Sequence, residues 1–175
     1  MMAEQRERLL LAKYLQDKYP HHRKQTNVPL GLPHPDLVAE FGRDLALRMG
    51  IKMRPNVDAI VWDSKTLIVV EAKVIRWIDG LAKLPLYGAL IEDTPEFEQY
   101  KDWPRVLRLV IPFTQDNMLS IAKKLGVEVV QYSIPEIDDY VQKKLPYYQS
   151  ADYKRKREQL KATQRALGVD TIDGL

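Results

Sequence analysis

The chain predicts an α/β domain, with a mixed central sheet of about four to five strands flanked by helices. Two stretches carry that expectation. Residues 56–74, NVDAIVWDSKTLIVVEAKV, read as two apolar strands around a polar turn, and residues 105–132 read as strand, helix, strand with short connections. The first supplies an antiparallel pair; the second requires parallel strands joined by a right-handed crossover, so the sheet is mixed.

The elements follow in order. Ala3 to Lys18 carries Leu11, Tyr14, Leu15 and Lys18 at helical spacing, with Glu7 on the same stripe one turn before Leu11. His21 and His22 fall in a polar stretch after Pro20; neighbouring histidines point apart, which argues against a shared zinc site. Arg23 to Leu32 predicts a strand with Val28 and Leu30 alternating, closed by Leu32-Pro33-His34-Pro35. Asp36 is placed to cap a second helix running through Met49, with Leu37, Val38, Phe41, Leu45 and Met49 on one side and Gly50 as its stop. Ile51 to Arg54 reads as a short strand leading into the hairpin.

After the hairpin, Leu81, Leu84, Tyr87 and Leu90 or Ile91 share one side of a helix opened by Asp79-Gly80. Proline is comfortable only in a first turn, so Pro85 predicts that the regular helix starts near Lys83, with Ile78 to Ala82 a distinct turn. Glu92 to Trp103 is acidic and proline-bearing, which predicts a surface loop or short helix. Arg105 to Pro112 is a strand, Gln115 to Leu125 a helix stopped by Gly126, and Val127 to Tyr132 a further strand. Ile137 to Lys144 is helical, and Ser150 can cap a last helix, Ala151 to Leu167, bearing Lys154, Arg155, Lys156 and Arg157. The expected organisation is one domain over residues 1–149 and a basic helical tail over 150–175. That tail reads first as a solvated helix and second as a nucleic-acid-binding arm or oligomer contact.

Composition bounds the function. In 175 residues, 45% hydrophobic and 29% charged, no apolar run reaches the length of a membrane span. The polar, charged start lacks the features of a signal peptide, so the expected location is the cytoplasm and no membrane partner is expected. The absence of cysteine excludes disulfides, thiolate metal sites and cysteine nucleophiles. The net charge of +3 suits a polyanionic partner without identifying one.

Chemistry shows in the hairpin. With Asp63-Ser64-Lys65-Thr66 as the turn, a loop of either two or four residues pairs Trp62 with Leu67, Ile60 with Val69, and Asp58 with Glu71. Side chains alternate along a strand, so Asp58, Glu71 and Lys73 converge on one face, and Val57, Ala59, Val61, Ile68, Val70 and Ala72 form an apolar opposite face. Two facing carboxylates repel unless a proton or cation lies between them, and hard oxygen ligands suit Mg²⁺ or Mn²⁺. A lysine beside them adds positive charge where a phosphate and an attacking water would meet.

This arrangement resembles the PD-(D/E)XK nuclease superfamily, of restriction-endonuclease-like and RecB-like enzymes, whose signature is an Asp early in a hairpin and Glu-x-Lys at the end of the next strand. Here those are Asp58 and Glu71-Ala72-Lys73. The resemblance implies a restriction-endonuclease-like core and a Mg²⁺-dependent (or Mn²⁺-dependent) nuclease hydrolysing DNA phosphodiesters. It also implies that Asp58, Glu71 and the Ala72 carbonyl hold the metal, and that Lys73 acts on the water or the phosphate. In that family the first helix often adds an acidic residue near the metal, for which Glu7 is the candidate and Glu4 and Glu40 are rivals. Several branches, the RecB-like exonucleases among them, carry Gln-x-x-x-Tyr in the helix after the triad. This chain has Lys83-Leu84-Pro85-Leu86-Tyr87, so Tyr87 matches, the glutamine does not, and Lys83 is a candidate phosphate contact. The alternative function is a non-catalytic member of the fold that binds nucleic acid or serves a larger assembly, with a homo-oligomer as a further expectation.

Overall fold

A computed structural model describes residues 3–149, together with Arg155, 158–160 and 162–163. It is α/β, with a five-stranded mixed open sheet flanked by helices, in strand order β1-β2-β3-β4-β5. The strands are β1 (Arg23–Pro29), β2 (Asn56–Asp63), β3 (Thr66–Ala72), β4 (Arg105–Ile111) and β5 (Val127–Gln131). The first three form an antiparallel meander, and β3, β4 and β5 run parallel.

The hairpin register is the one its even turn predicts: Trp62 pairs with Leu67 and Ile60 with Val69. The loop has two residues, Ser64 and Lys65, with φ of 43° and 66°. Positive φ at both central positions is the geometry that joins two right-twisted strands without splaying them.

Helix α1 (Ala3–Lys18) covers the sheet face that carries Val70, Arg108 and Val110. It buries Leu10, Leu11, Tyr14 and Leu15. On this face Arg108 Nη1 donates to Tyr14 Oη at 3.2 Å and to Tyr19 Oη, while Nε and Nη2 donate to Glu128 Oε2 at 3.1 and 2.7 Å. The other face is covered by α4 (Trp77–Leu90) and α5 (Asp116–Lys124), the two parallel crossovers. Its core joins Ile60, Val69, Leu109 and Ile111 to Leu81, Leu84 and Met118 of the helices. Truncating one of these fully buried leucines to alanine would cost about 2–5 kcal/mol.

Three expectations are corrected. Helix α4 runs unbroken from Trp77 through Pro85 to Leu90. Burial of Leu81, Leu84 and Tyr87 against the sheet offsets the backbone hydrogen bond that Pro85 cannot donate. The expected helix from Asp36 to Met49 is two, α2 (Pro35–Phe41) and α3 (Arg43–Met49), broken at Gly42 with φ of 74° and capped at its start by the His34 side chain. Its apolar side is not buried: Phe41, Leu45 and Met49 are 38, 46 and 49% exposed. Gly50–Met53 is a 3₁₀ turn in place of a strand, and it delivers the buried Arg54 guanidinium to Glu96 in a two-pronged pair at 2.7 and 3.0 Å. The acidic stretch after α4 forms the short helix expected as one alternative, a 3₁₀ turn over Pro95–Tyr100, and it buries Phe97 and Tyr100. Phe97 stacks on Trp62 with ring centroids 5.9 Å apart.

The chain forms two compact units, Met1–Ile134 and Pro135–Leu175, with α6 (Pro135–Gln149) in the second. Of the basic tail residues, Arg155 is exposed, and Lys154, Lys156 and Arg157 lie outside the described residues. Among the described residues no helix is long and apolar enough to cross a membrane.

Candidate metal centre and active site

Strand β3 ends at Ala72, and the next residue is held by a further sheet bond, Lys73 N–H to Val110 O at 2.9 Å. The alternation of the strands puts Glu71 on the same face as Val69, under α4. Asp58 comes from β2 at the position facing Glu71, where its Oδ2 accepts the Ala72 N–H at 2.9 Å. That bond ties the two strands together just beyond the last regular ladder pair, Ala59 with Val70.

The Lys73 ammonium lies among three carboxylates. It is 3.0 Å from Glu71 Oε1, 3.2 Å from Glu7 Oε2 and 4.0 Å from Asp58 Oδ2. The expectation of convergence therefore extends to Glu7, whose place on the inward stripe of α1 carries it to the cluster. Glu4 lines a neighbouring cleft, and Glu40 is exposed on α2.

Burial sets the electrostatics. Glu71 is 1% exposed, and its pKa is pushed up to about 7, first by desolvation and then by the Asp58 charge, against the opposing pull of Lys73 and Lys83. Desolvation alone would lower the Lys73 pKa, yet Glu71, Asp58 and Glu7 together raise it above the ordinary lysine range, so the ammonium keeps its proton. Tyr87, buried on α4, has its phenol raised to about 12 by desolvation and by the charges of Glu71 and Asp58. Lys83 is exposed on the same helix and acts on Glu71 at longer range.

Whether these residues suit a divalent cation is tested by their free valences. Among the described residues no three His, Cys, Asp or Glu side chains are grouped so as to hold a metal. The lysine ammonium takes the position between the carboxylates, and Asp58 Oδ2 is engaged by the backbone. Glu71 Oε2, however, is buried with no hydrogen-bond partner. A buried carboxylate oxygen without a donor is costly, by about 1–3 kcal/mol or more for a charged group, and either a proton or a hard cation satisfies it. The donors are all oxygen, the class that hard cations such as Mg²⁺ and Mn²⁺ prefer.

Two contributors escaped the sequence reading. Gly80 lets α4 lie against the cluster: a Cβ there would stand 2.6 Å from Leu109 Cδ1 and 3.1 Å from Lys73 Cγ. Its only signal is a glycine inside an otherwise helical stretch. The second is Asn27, exposed on β1 with φ of 52°, which lines the cleft beside Asp58. No family model, curated protein or solved structure matches the chain.

Proposed function

We propose that the chain is a metal-dependent deoxyribonuclease of the PD-(D/E)XK type, hydrolysing phosphodiester bonds in DNA. The observation that carries this reading is Glu71: buried, facing Asp58, and left with one carboxylate oxygen unpartnered.

In this reading Asp58, Glu71 and the Ala72 carbonyl hold the cation, with Glu7 beside them. A bound Mg²⁺ or Mn²⁺ supplies polarisation of a phosphoryl oxygen and a more acidic water. Lys73 keeps its proton and places a fixed positive charge at the reacting phosphate. Glu7 restrains the ammonium through the 3.2 Å contact, so the charge is positioned before substrate arrives. Tyr87 stays protonated at neutral pH and is available as a hydrogen-bond donor under α4.

The test is cleavage of single-stranded and duplex DNA, and of RNA, with and without Mg²⁺ or Mn²⁺. Expected is metal-dependent DNA cleavage that is lost in Asp58→Ala. A second reading, a non-catalytic nucleic-acid-binding or assembly component, is favoured by the position of Lys73, whose ammonium already sits between the carboxylates. Binding of DNA without turnover under every metal condition would select it.

A further inference from the structure

A cleft of about 440 Å³ opens beside the carboxylate cluster, within the size range of small-ligand sites, roughly 300–1,000 Å³. One wall is the first half of α1, from Glu4 to Ala12; the other is Thr26 and Asn27 of β1 with Asp58 of β2. A ligand bound at Asp58 has this space directly beside it.

The lining decides which part that is. Glu4, Glu7 and Asp58 face the cleft, and its one cation, Arg8, is already paired with Glu4. Such a lining offers a second phosphate no unpaired cation but accepts an uncharged group. Leu11 and Ala12 offer an apolar wall to a flat ring, while Thr26 and Asn27 offer a hydroxyl and an amide to its edge. A base held in a duplex has its edge engaged and its faces stacked, so only an unpaired base can enter.

Asn27 is the informative residue. It sits between the pairs Thr26–Ala59 and Val28–Val57, at the strand position facing Asp58, and its φ of 52° is left-handed, a region that asparagine enters more readily than most residues other than glycine. Glycine would meet the backbone demand at less strain. Asparagine at that position keeps a side-chain donor and acceptor at the mouth of the site.

We propose that this cleft takes an unpaired base flanking the scissile phosphate and that Asn27 is the residue that positions it. The inference rests on the nuclease reading and adds a substrate preference for single-stranded or unpaired DNA.

Asn27→Gly and Ala12→Leu separate the two claims, assayed on single-stranded oligonucleotides with Mg²⁺ for kcat, KM and binding by fluorescence anisotropy. Asn27→Gly is expected to melt at or above the wild-type temperature, since glycine accepts the φ, while KM rises about tenfold, the worth of roughly one good hydrogen bond, and kcat changes little. Ala12→Leu, which narrows the cleft from the opposite wall, raises KM likewise. An abasic nucleotide at the flanking position costs wild type a similar factor and costs Asn27→Gly nothing more. Wild-type KM in both variants, or an abasic loss that adds fully to that of Asn27→Gly, overturns the inference and leaves the nuclease reading standing. A wild-type protein that neither binds nor cleaves any oligonucleotide overturns both. Binding without cleavage, weakened by Asn27→Gly, retains the base site and removes only the catalysis.

Discussion

Lys73 and Arg108 are both largely buried cations on adjacent strands of one sheet, and they are satisfied in opposite ways. Arg108 spends its donors on one carboxylate, half-exposed Glu128, and on the hydroxyls of Tyr14 and Tyr19. One positive charge meets one negative charge, and the surroundings are neutral donors and acceptors. Lys73 meets three carboxylates, and the most buried of them keeps an unpartnered oxygen. A balanced pair fixes α1 to the sheet; the cluster around Lys73 keeps a surplus of negative charge. The contrast shows that two buried cations on one sheet can be satisfied by opposite balances of charge.

The sharpest way to break this comparison is Lys73→Ala. Cleavage should fall by about 10²–10³-fold, while metal affinity by calorimetry holds or rises, because a neighbouring positive charge has gone. Full activity in Lys73→Ala would return Lys73 to the class of structural cations. Arg108→Met supplies the other arm: removal of the shared donor leaves Tyr14 Oη without its partner and should cost about 2–3 kcal/mol in denaturant unfolding. Added Mg²⁺ should not restore that loss, and catalytic constants on the folded variant should be unchanged.

The smallest expected effect has the opposite sign. Glu71 has a folded pKa of about 7, above its ordinary 4.5, so between those values the folded, metal-free protein holds a proton that the unfolded chain has released. Stability from this group is intact below the lower value and is lost as pH rises through 7. Glu71→Gln should therefore stabilise the metal-free protein by about 1–3 kcal/mol at pH 8, with the gain fading towards pH 4.5. A destabilised Glu71→Gln at pH 8 would show that its pair with Lys73 outweighs its desolvation, making the two cations alike.

Much of this was legible in the sequence because it rests on local rules. The stripe of Leu11, Tyr14 and Leu15 marks α1, and an even turn between two apolar runs fixes which side chains share a face. Gly126 stops α5 with φ of 65°, as its position implies. Where the reading failed, tertiary contacts overrode local preference. Pro85 sits inside α4 because Leu81, Leu84 and Tyr87 gain the core, and residues 50–53 turn because Arg54 must reach Glu96. Glu7 could be nominated from its stripe, but its approach to Lys73 depends on how α1 lies over the sheet, which no local pattern encodes. Asn27 carries no sequence signal at all: its importance is its place opposite Asp58.

The two-residue turn at Ser64-Lys65 has a consequence for how this hairpin tolerates change. Both faces of β2 and β3 are apolar, with Ile60 and Val69 on one and Val61 and Val70 on the other, all buried. Hydrophobicity, which specifies register in a strand with one wet face, is therefore indifferent here to a slip of one residue. What holds the frame is the turn at one end and the Asp58–Ala72 bond at the other. An insertion of a single residue in that loop behaves like a frameshift written in three dimensions: the core can still fill with valine and isoleucine, while Asp58 and Glu71 part to opposite sides of the sheet.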